Sequence, residues 1–228
     1  MKALFGSFIV DGRNKVNGHV VSKNRYGSYI RTKVTPVNPQ TDAQQAARNN
    51  LATNSQAWRG LTEAQRQGWI DAAVNFPFTD IFGNIKFLSG QALYVKLNNN
   101  LVAGGQAAIS DAPAPVAIPA LDTIALTAAA GTPAVSLTFA PTPVPADFNL
   151  FIDMTPNVTP GKSFVKNLFR RVTVIADGET SPQNLLTAYS ALFGNPVEGQ
   201  KIFCRAFFVS QITGQAGIPL QTVAIVAA

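Results

Sequence analysis

Cysteine and histidine are nearly missing from these 228 residues: Cys204 and His19 are the only ones. A structural zinc site takes about four Cys or His ligands, so none can be built from them, and a lone cysteine excludes any disulfide within the chain. A serine nucleophile would have His19 as its one imidazole base, and no Gly-x-Ser-x-Gly elbow is present. No Gly-x-x-x-x-Gly-Lys phosphate loop occurs either. Apolar runs stay short of the ~18 residues that span a bilayer, so no membrane segment is expected. The opening stretch 1–10 is apolar, but it breaks at Gly6-Ser7 and runs into Asp11-Gly12-Arg13 with no small-residue cleavage site. It does not read as a signal peptide, and synthesis in the cytoplasm without export is expected. The expectation is a chain with no catalytic residue, no metal and no cofactor.

Charge is the other shortage. Asp, Glu, Lys and Arg make up 13% of the chain, about half of the usual ~25%. Hydrophobic content, at 46%, is ordinary and far from a disordered profile. A chain with so little solvated surface is expected to have part of it covered by other subunits. It reads as an assembly protein.

What charge there is falls unevenly. Residues 1–110 hold twelve Lys/Arg and five Asp/Glu, net +7, whereas residues 111–228 hold six and seven, net −1. Both tryptophans lie in the first part, and twelve of the fifteen prolines lie in the second. Residues 111–120 carry Pro113, Pro115 and Pro119, which favour an extended, stiff spacer. The predicted organisation is a basic module over 1–110, a Pro-rich linker over 111–120 and a second domain over 121–228.

In the first module, 18–23 and 28–34 flank Asn24-Arg-Tyr-Gly27, which predicts a β-hairpin with a four-residue loop. Period two puts Tyr29, Arg31 and Lys33 on one face and Ile30, Thr32 and Val34 on the other. Thr41-x-x-Gln44 and Thr62-x-x-Gln65 are capping boxes. They open predicted helices over 41–58, with Ala43, Ala46, Ala47, Leu51 and Trp58 facing inward, and over 62–74. A third helix is predicted over 89–101. The second domain shows strand patterns near 123–128, 134–139, 148–154, 167–175, 200–209 and 219–226, and a helical stripe over 181–193 capped by Ser181 with Pro182 in the first turn. The fold class expected is α+β: a hairpin with three helices, then an immunoglobulin-like or fibronectin-like sandwich with one short inserted helix.

The runs Asn24–Arg48, with Asn24-Arg-Tyr-Gly-Ser-Tyr-Ile-Arg-Thr-Lys-Val-Thr-Pro-Val-Asn-Pro-Gln-Thr at its head, Gln56–Trp69, Asp80-Ile-Phe-Gly-Asn84 and Ser89–Tyr94 resemble a module found in proteins of tailed bacteriophages and prophages. The resemblance covers about residues 15–100. It implies a virion structural protein made in the host cytoplasm, present in many copies or as a homo-oligomer. The implied partners are the major capsid, portal, collar or tail proteins of the same particle. Capsid decoration, head-fibre and head–tail connector roles all fit, and no enzymatic residue comes with the likeness. The second domain is similar to the Ig-like domains appended to many virion proteins.

Arg25, Tyr26, Tyr29, Arg31 and Lys33 make a basic, aromatic hairpin. Docking on an acidic neighbour is the favoured reading, ahead of a plain solvated face, with weak contact to nucleic acid phosphates third. Trp58 and Trp69 are expected in a core, His19 as an ordinary hairpin residue, Cys204 as a buried strand residue, and Asp177-Gly178-Glu179 as a turn. The alternatives in other classes are a nucleic-acid-binding protein packaged with a genome and a carbohydrate-binding adhesin.

Overall fold

Turn chemistry sets the local structure of residues 12–38. The computed structural model describes residues 12–38, 40–80 and 82–228, and of Ala43 only the backbone. The opening stretch read for a signal peptide therefore lies outside the described residues. Three short strands, β1 (Asn14–Val16), β2 (His19–Asn24) and β3 (Gly27–Thr32), form an antiparallel sheet in that order. Asn17-Gly18 turns β1 into β2, with Asn17 at φ 50. The second turn is Arg25-Tyr26, two residues rather than the expected four-residue loop. Gly27 takes φ 111, so Asn24 can pair opposite it, and the Asn24 side chain accepts the Tyr26 amide at 2.9 Å.

Helix α1 (Asp42–Gly60) follows, its start marked by the Thr41 hydroxyl accepting the Gln44 amide at 3.4 Å. Its expected inward face is not buried: Ala46, Ala47 and Leu51 are exposed. Alanines remove little apolar area from water when they pack, so the stripe holds nothing against it. Among the described residues, burial along α1 begins in its later turns, with buried Asn54, whose amide donates to Asn99 at 2.6 Å, and half-buried Trp58. The Asp80–Asn84 motif makes the turn of a tiny ribbon, β4 (Phe78–Thr79) with β5 (Ile85–Lys86), in which the Asp80 carboxylate accepts the amides of Phe82 and Asn84.

Two compact units result. One comprises Met1–Asn49 with Pro77–Phe87, the other Asn50–Phe76 with Leu88–Ala228. The divisions fall inside α1 and around the small ribbon, not at 111–120.

In the second unit, Thr62 and Gln65 complete a reciprocal capping box at the start of α2 (Glu63–Ala72), which a 3₁₀ turn at Ala73–Asn75 extends. Helix α3 (Gly90–Ala103) packs on it around Leu61, Trp69, Ala73, Leu93, Tyr94 and Leu97. Trp69 is fully buried, edge-on to Tyr94 at 5.2 Å, and its indole N–H donates to the Ser110 carbonyl at 2.8 Å. The remaining strands are β6 (Thr123–Ala129), β7 (Ala134–Ala140), β8 (Phe148–Met154), β9 (Arg170–Ile175), β10 (Gln183–Asn184), β11 (Lys201–Ser210) and β12 (Leu220–Ile225). They form two antiparallel sheets, β10-β7-β6 and β12-β11-β8-β9. One apolar core, including Leu137, Phe139, Leu150, Ile152, Tyr189, Ile202 and Phe208, draws on both.

The helix predicted from Ser181 starts only at Leu186 (α4, Leu186–Phe193). Gln183 and Asn184 pair with Leu137 and Ser136 instead, and the Asn184 side chain accepts the Leu186 amide at 3.0 Å. Residues 104–122 contain no helix or strand but lie against the second unit: Asn149 donates to the Gly104 carbonyl at 3.1 Å, the Val116 amide to Gln215 at 3.1 Å, and Ile118 packs on the β core. The loop after β11 sits on α3 so closely that a Cβ at Gly214 would lie 2.2 Å from the Leu97 carbonyl oxygen, while Asn100 donates to the Gly214 carbonyl at 2.8 Å. Among the described residues, no helix is long and apolar enough to cross a membrane.

Candidate docking surface

Strand register decides which side chains of the first unit share a face. Val20 stands opposite Lys15 on one side and Arg31 on the other, and Ser22 stands opposite Tyr29. Lys15, Arg31 and Tyr29 therefore project from one face of the sheet, and His19, Val21, Ile30 and Thr32 from the other. Lys33 lies just past β3, held by its amide donating to the Gly18 carbonyl at 2.7 Å. Arg25 and Tyr26 form the turn. The Tyr26 ring is edge-on to Phe78 at 5.8 Å, and the Arg25 guanidinium lies 6.0 Å from the Tyr26 ring centre.

The five residues of the candidate surface are thus divided. Tyr29 and Arg31 share a face, Lys33 continues from it, and Tyr26 is engaged by the β4–β5 ribbon. Lys15, which sequence reasoning did not select, joins that face. Its signal was the Asn17-Gly18 pair, a strong hairpin mark that brings β1 alongside β2. A groove of about 500 Å³ runs along β1 and β2, lined by Arg13, Lys15, Val20 and Lys23 among others.

Two properties set this unit apart. Among its described residues none is buried. Its sequence also holds nine Lys/Arg against three Asp/Glu, net +6, whereas the second unit holds nine of each. The whole net charge of the chain resides in the unit that buries no residue among those described.

The other sequence-selected residues sit in ordinary places. His19 is exposed on β2, and Asp177-Gly178 is a turn with Gly178 at φ 77. Cys204 is buried on β11, where burial first, and the Asp153 carboxylate second, push its thiol up to about 12. Among the described residues no group of three or more His, Cys, Asp or Glu could hold a metal ion.

Sequence reasoning missed one charged cluster. Asp153 on β8, 4% exposed, accepts from Arg171 Nε on β9 at 2.5 Å and from Arg205 Nη2 on β11 at 2.6 Å. The Arg171 guanidinium lies 4.0 Å from the Phe151 ring centre, and that of Arg205 lies 4.8 Å from Phe169. Both cations are spent on the carboxylate and the rings, which makes the cluster a clamp across three strands.

Neither the known protein families, nor curated proteins, nor solved structures include a match to this chain.

Proposed function

We propose that this chain is a non-enzymatic structural protein of a tailed bacteriophage particle, docked through its basic first unit on an acidic neighbour. One observation carries the reading: net +6 is concentrated in a unit without a buried side chain among its described residues. Like charges held together repel, and a segment that buries little apolar surface gains little from folding by itself. An acidic partner supplies what both deficits lack, counter-charge and covered area. Tyr29 and Arg31, on one face of the sheet with Lys15 across Val20, suit that contact, since tyrosine and arginine are enriched where interfaces hold most strongly. The likeness of residues 15–100 to phage modules points the same way. The three-on-four strand arrangement supports reading 121–228 as a fibronectin-like sandwich that projects from the particle or bridges to a neighbour.

The test is whether the protein stays on nuclease-treated, salt-washed phage particles at a fixed copy number, measured by quantitative mass spectrometry. Loss with the wash, or a variable trace amount, refutes the reading. The same +6 favours one competitor, a nucleic-acid binder packaged with the genome. Binding to phosphates falls steeply as salt rises, by about 10³-fold or more over a fourfold salt increase when six contacts are made. Release of the protein by nuclease alone would therefore select the competitor.

A further inference from the structure

The β strands of the second unit sort its charges by end. Residues 121–228 contain six cations and six carboxylates. Antiparallel pairing of β8 with β9 and β11 places Lys162, Lys166, Arg170, Arg171, Lys201 and Arg205 toward the end where β8 finishes, with Asp153 and Glu198. The opposite end, where β8 begins, holds Asp122, Asp147, Asp177 and Glu179, and no cation from this stretch. All four of these carboxylates are exposed, and none has an ion-pair partner among the described residues. Counted over residues 121–228 alone, the ends are net +4 and −4; α3 also packs at the carboxylate end, through Asn100 and Gly104.

Each end also carries an exposed apolar side chain. Phe164, 72% exposed, stands between Lys162 and Lys166 on a loop whose Val165, Leu168 and Phe169 are pinned against Phe203. Ile212, 58% exposed, follows Gln211, whose amide donates to the Asp177 carboxylate at 3.1 Å. Seven residues of β8 separate the two ends by roughly 20 Å, over twice the Debye length at physiological salt, so they do not neutralise each other within one chain.

We propose that a second copy of this chain is the partner of the cationic end. The end around Phe164 seats on the carboxylate end of the next copy, with Phe164 and Ile212 as apolar contacts. A head-to-tail contact of this kind is heterologous and builds rings or open rows, not closed pairs. It is independent of docking by the first unit and adds a second surface to it.

The experiment is sedimentation of the nuclease-treated full chain over a range of concentrations, at low and at high salt. Self-association that weakens with salt is expected. Lys162→Glu with Lys166→Glu, Phe164→Ala, and Asp177→Lys with Glu179→Lys should each weaken it at least about tenfold, with melting temperatures unchanged. Mixing the two charge-reversed chains should restore association, because each retains the end that the other lacks. Tyr29→Ala with Arg31→Ala should leave it intact. A wild-type chain that stays monomeric at low salt overturns the proposal. So does association that survives both charge reversals, a mixture that fails to associate, or association lost in the Tyr29/Arg31 variant, which would put the first unit of a neighbour on the acidic end. No particle is present in this assay, so failure here is distinct from failure of particle docking.

Discussion

Removing the carboxylate of Asp153 tests the clamp that ties β8, β9 and β11 together. Asp153→Ala leaves two guanidiniums side by side with no anion between them. Breaking a buried ion pair from one side costs about 3–5 kcal/mol. The two arginine side chains are 36% and 33% exposed, so water screens part of that repulsion, and the expected cost is about 2–3 kcal/mol. At roughly 2–4 °C per kcal/mol for a chain of this size, the melting temperature should fall by about 4–12 °C, read by circular dichroism. Arg171→Met keeps an apolar stem over Phe151 and leaves Asp153 its bond to Arg205, so its cost should be smaller. The Nε of Arg205 is buried without a hydrogen-bond partner, which already weighs against the folded state. Replacing Asp153, Arg171 and Arg205 together by methionine should therefore recover most of the stability lost in Asp153→Ala. An Asp153→Ala chain that melts within about 0.5 kcal/mol of wild type, the range of an ordinary surface change, would show that the clamp carries no stability.

Much of the β half was legible because its strands are short apolar or alternating runs separated by proline, glycine and asparagine turns. The pattern at 148–154 predicts the strand that forms, and the neighbours differ by a few residues at their ends. The short β10 was not legible. Two residues have no period, and the stripe Leu185, Leu186, Tyr189, Leu192 and Phe193 drew the whole of 181–193 into one helix. In the first unit, period two placed Tyr29 and Arg31 on one face. The Asn17-Gly18 turn, equally visible, would have added β1 and Lys15. The stripe of Ala46, Ala47 and Leu51 misled because helical spacing says which residues share a face, not whether anything covers it.

The division into units and the Asp153 clamp depend on contacts distant in sequence. Gly214 touches Leu97, and Asp153 meets residues 18 and 52 positions away. Proline content at 111–120 marks a segment without helix or strand, but it cannot tell whether that segment crosses open solvent or lies on a surface. Charge counts by sequence half likewise hid the sorting by strand end, which emerges only when strand directions are known.

Gly214→Ala should cost at least about 2 kcal/mol, since its Cβ would meet the Leu97 carbonyl and its φ of 70 is strained for alanine; Gly178→Ala, with φ 77 but open space, should cost only about 1 kcal/mol, and equal urea midpoints for the two would refute the close packing of this loop on α3. Cys204 should ignore a thiol reagent at pH 8 until the chain unfolds. Its folded-state value of about 12 exceeds the unfolded ~8.5, so the stability it contributes is intact only below about pH 8.5 and is lost as pH rises toward 12; a Cys204→Ala chain should show a shallower alkaline decline, and an equal one would refute the assignment. The last expectation concerns Tyr29→Ala with Arg31→Ala. Arg31 is exposed and Tyr29 only half-buried, so the folded state should lose no more than about 0.5 kcal/mol. At an interface, an arginine that pairs with a carboxylate beside a packed tyrosine typically costs about 2–4 kcal/mol when truncated, a factor of roughly 30 to 900 in occupancy. The double variant should therefore melt with wild type and yet be missing from washed particles. If it incorporates normally, the anchor is not on this face, and the excess charge of the first unit serves something other than docking.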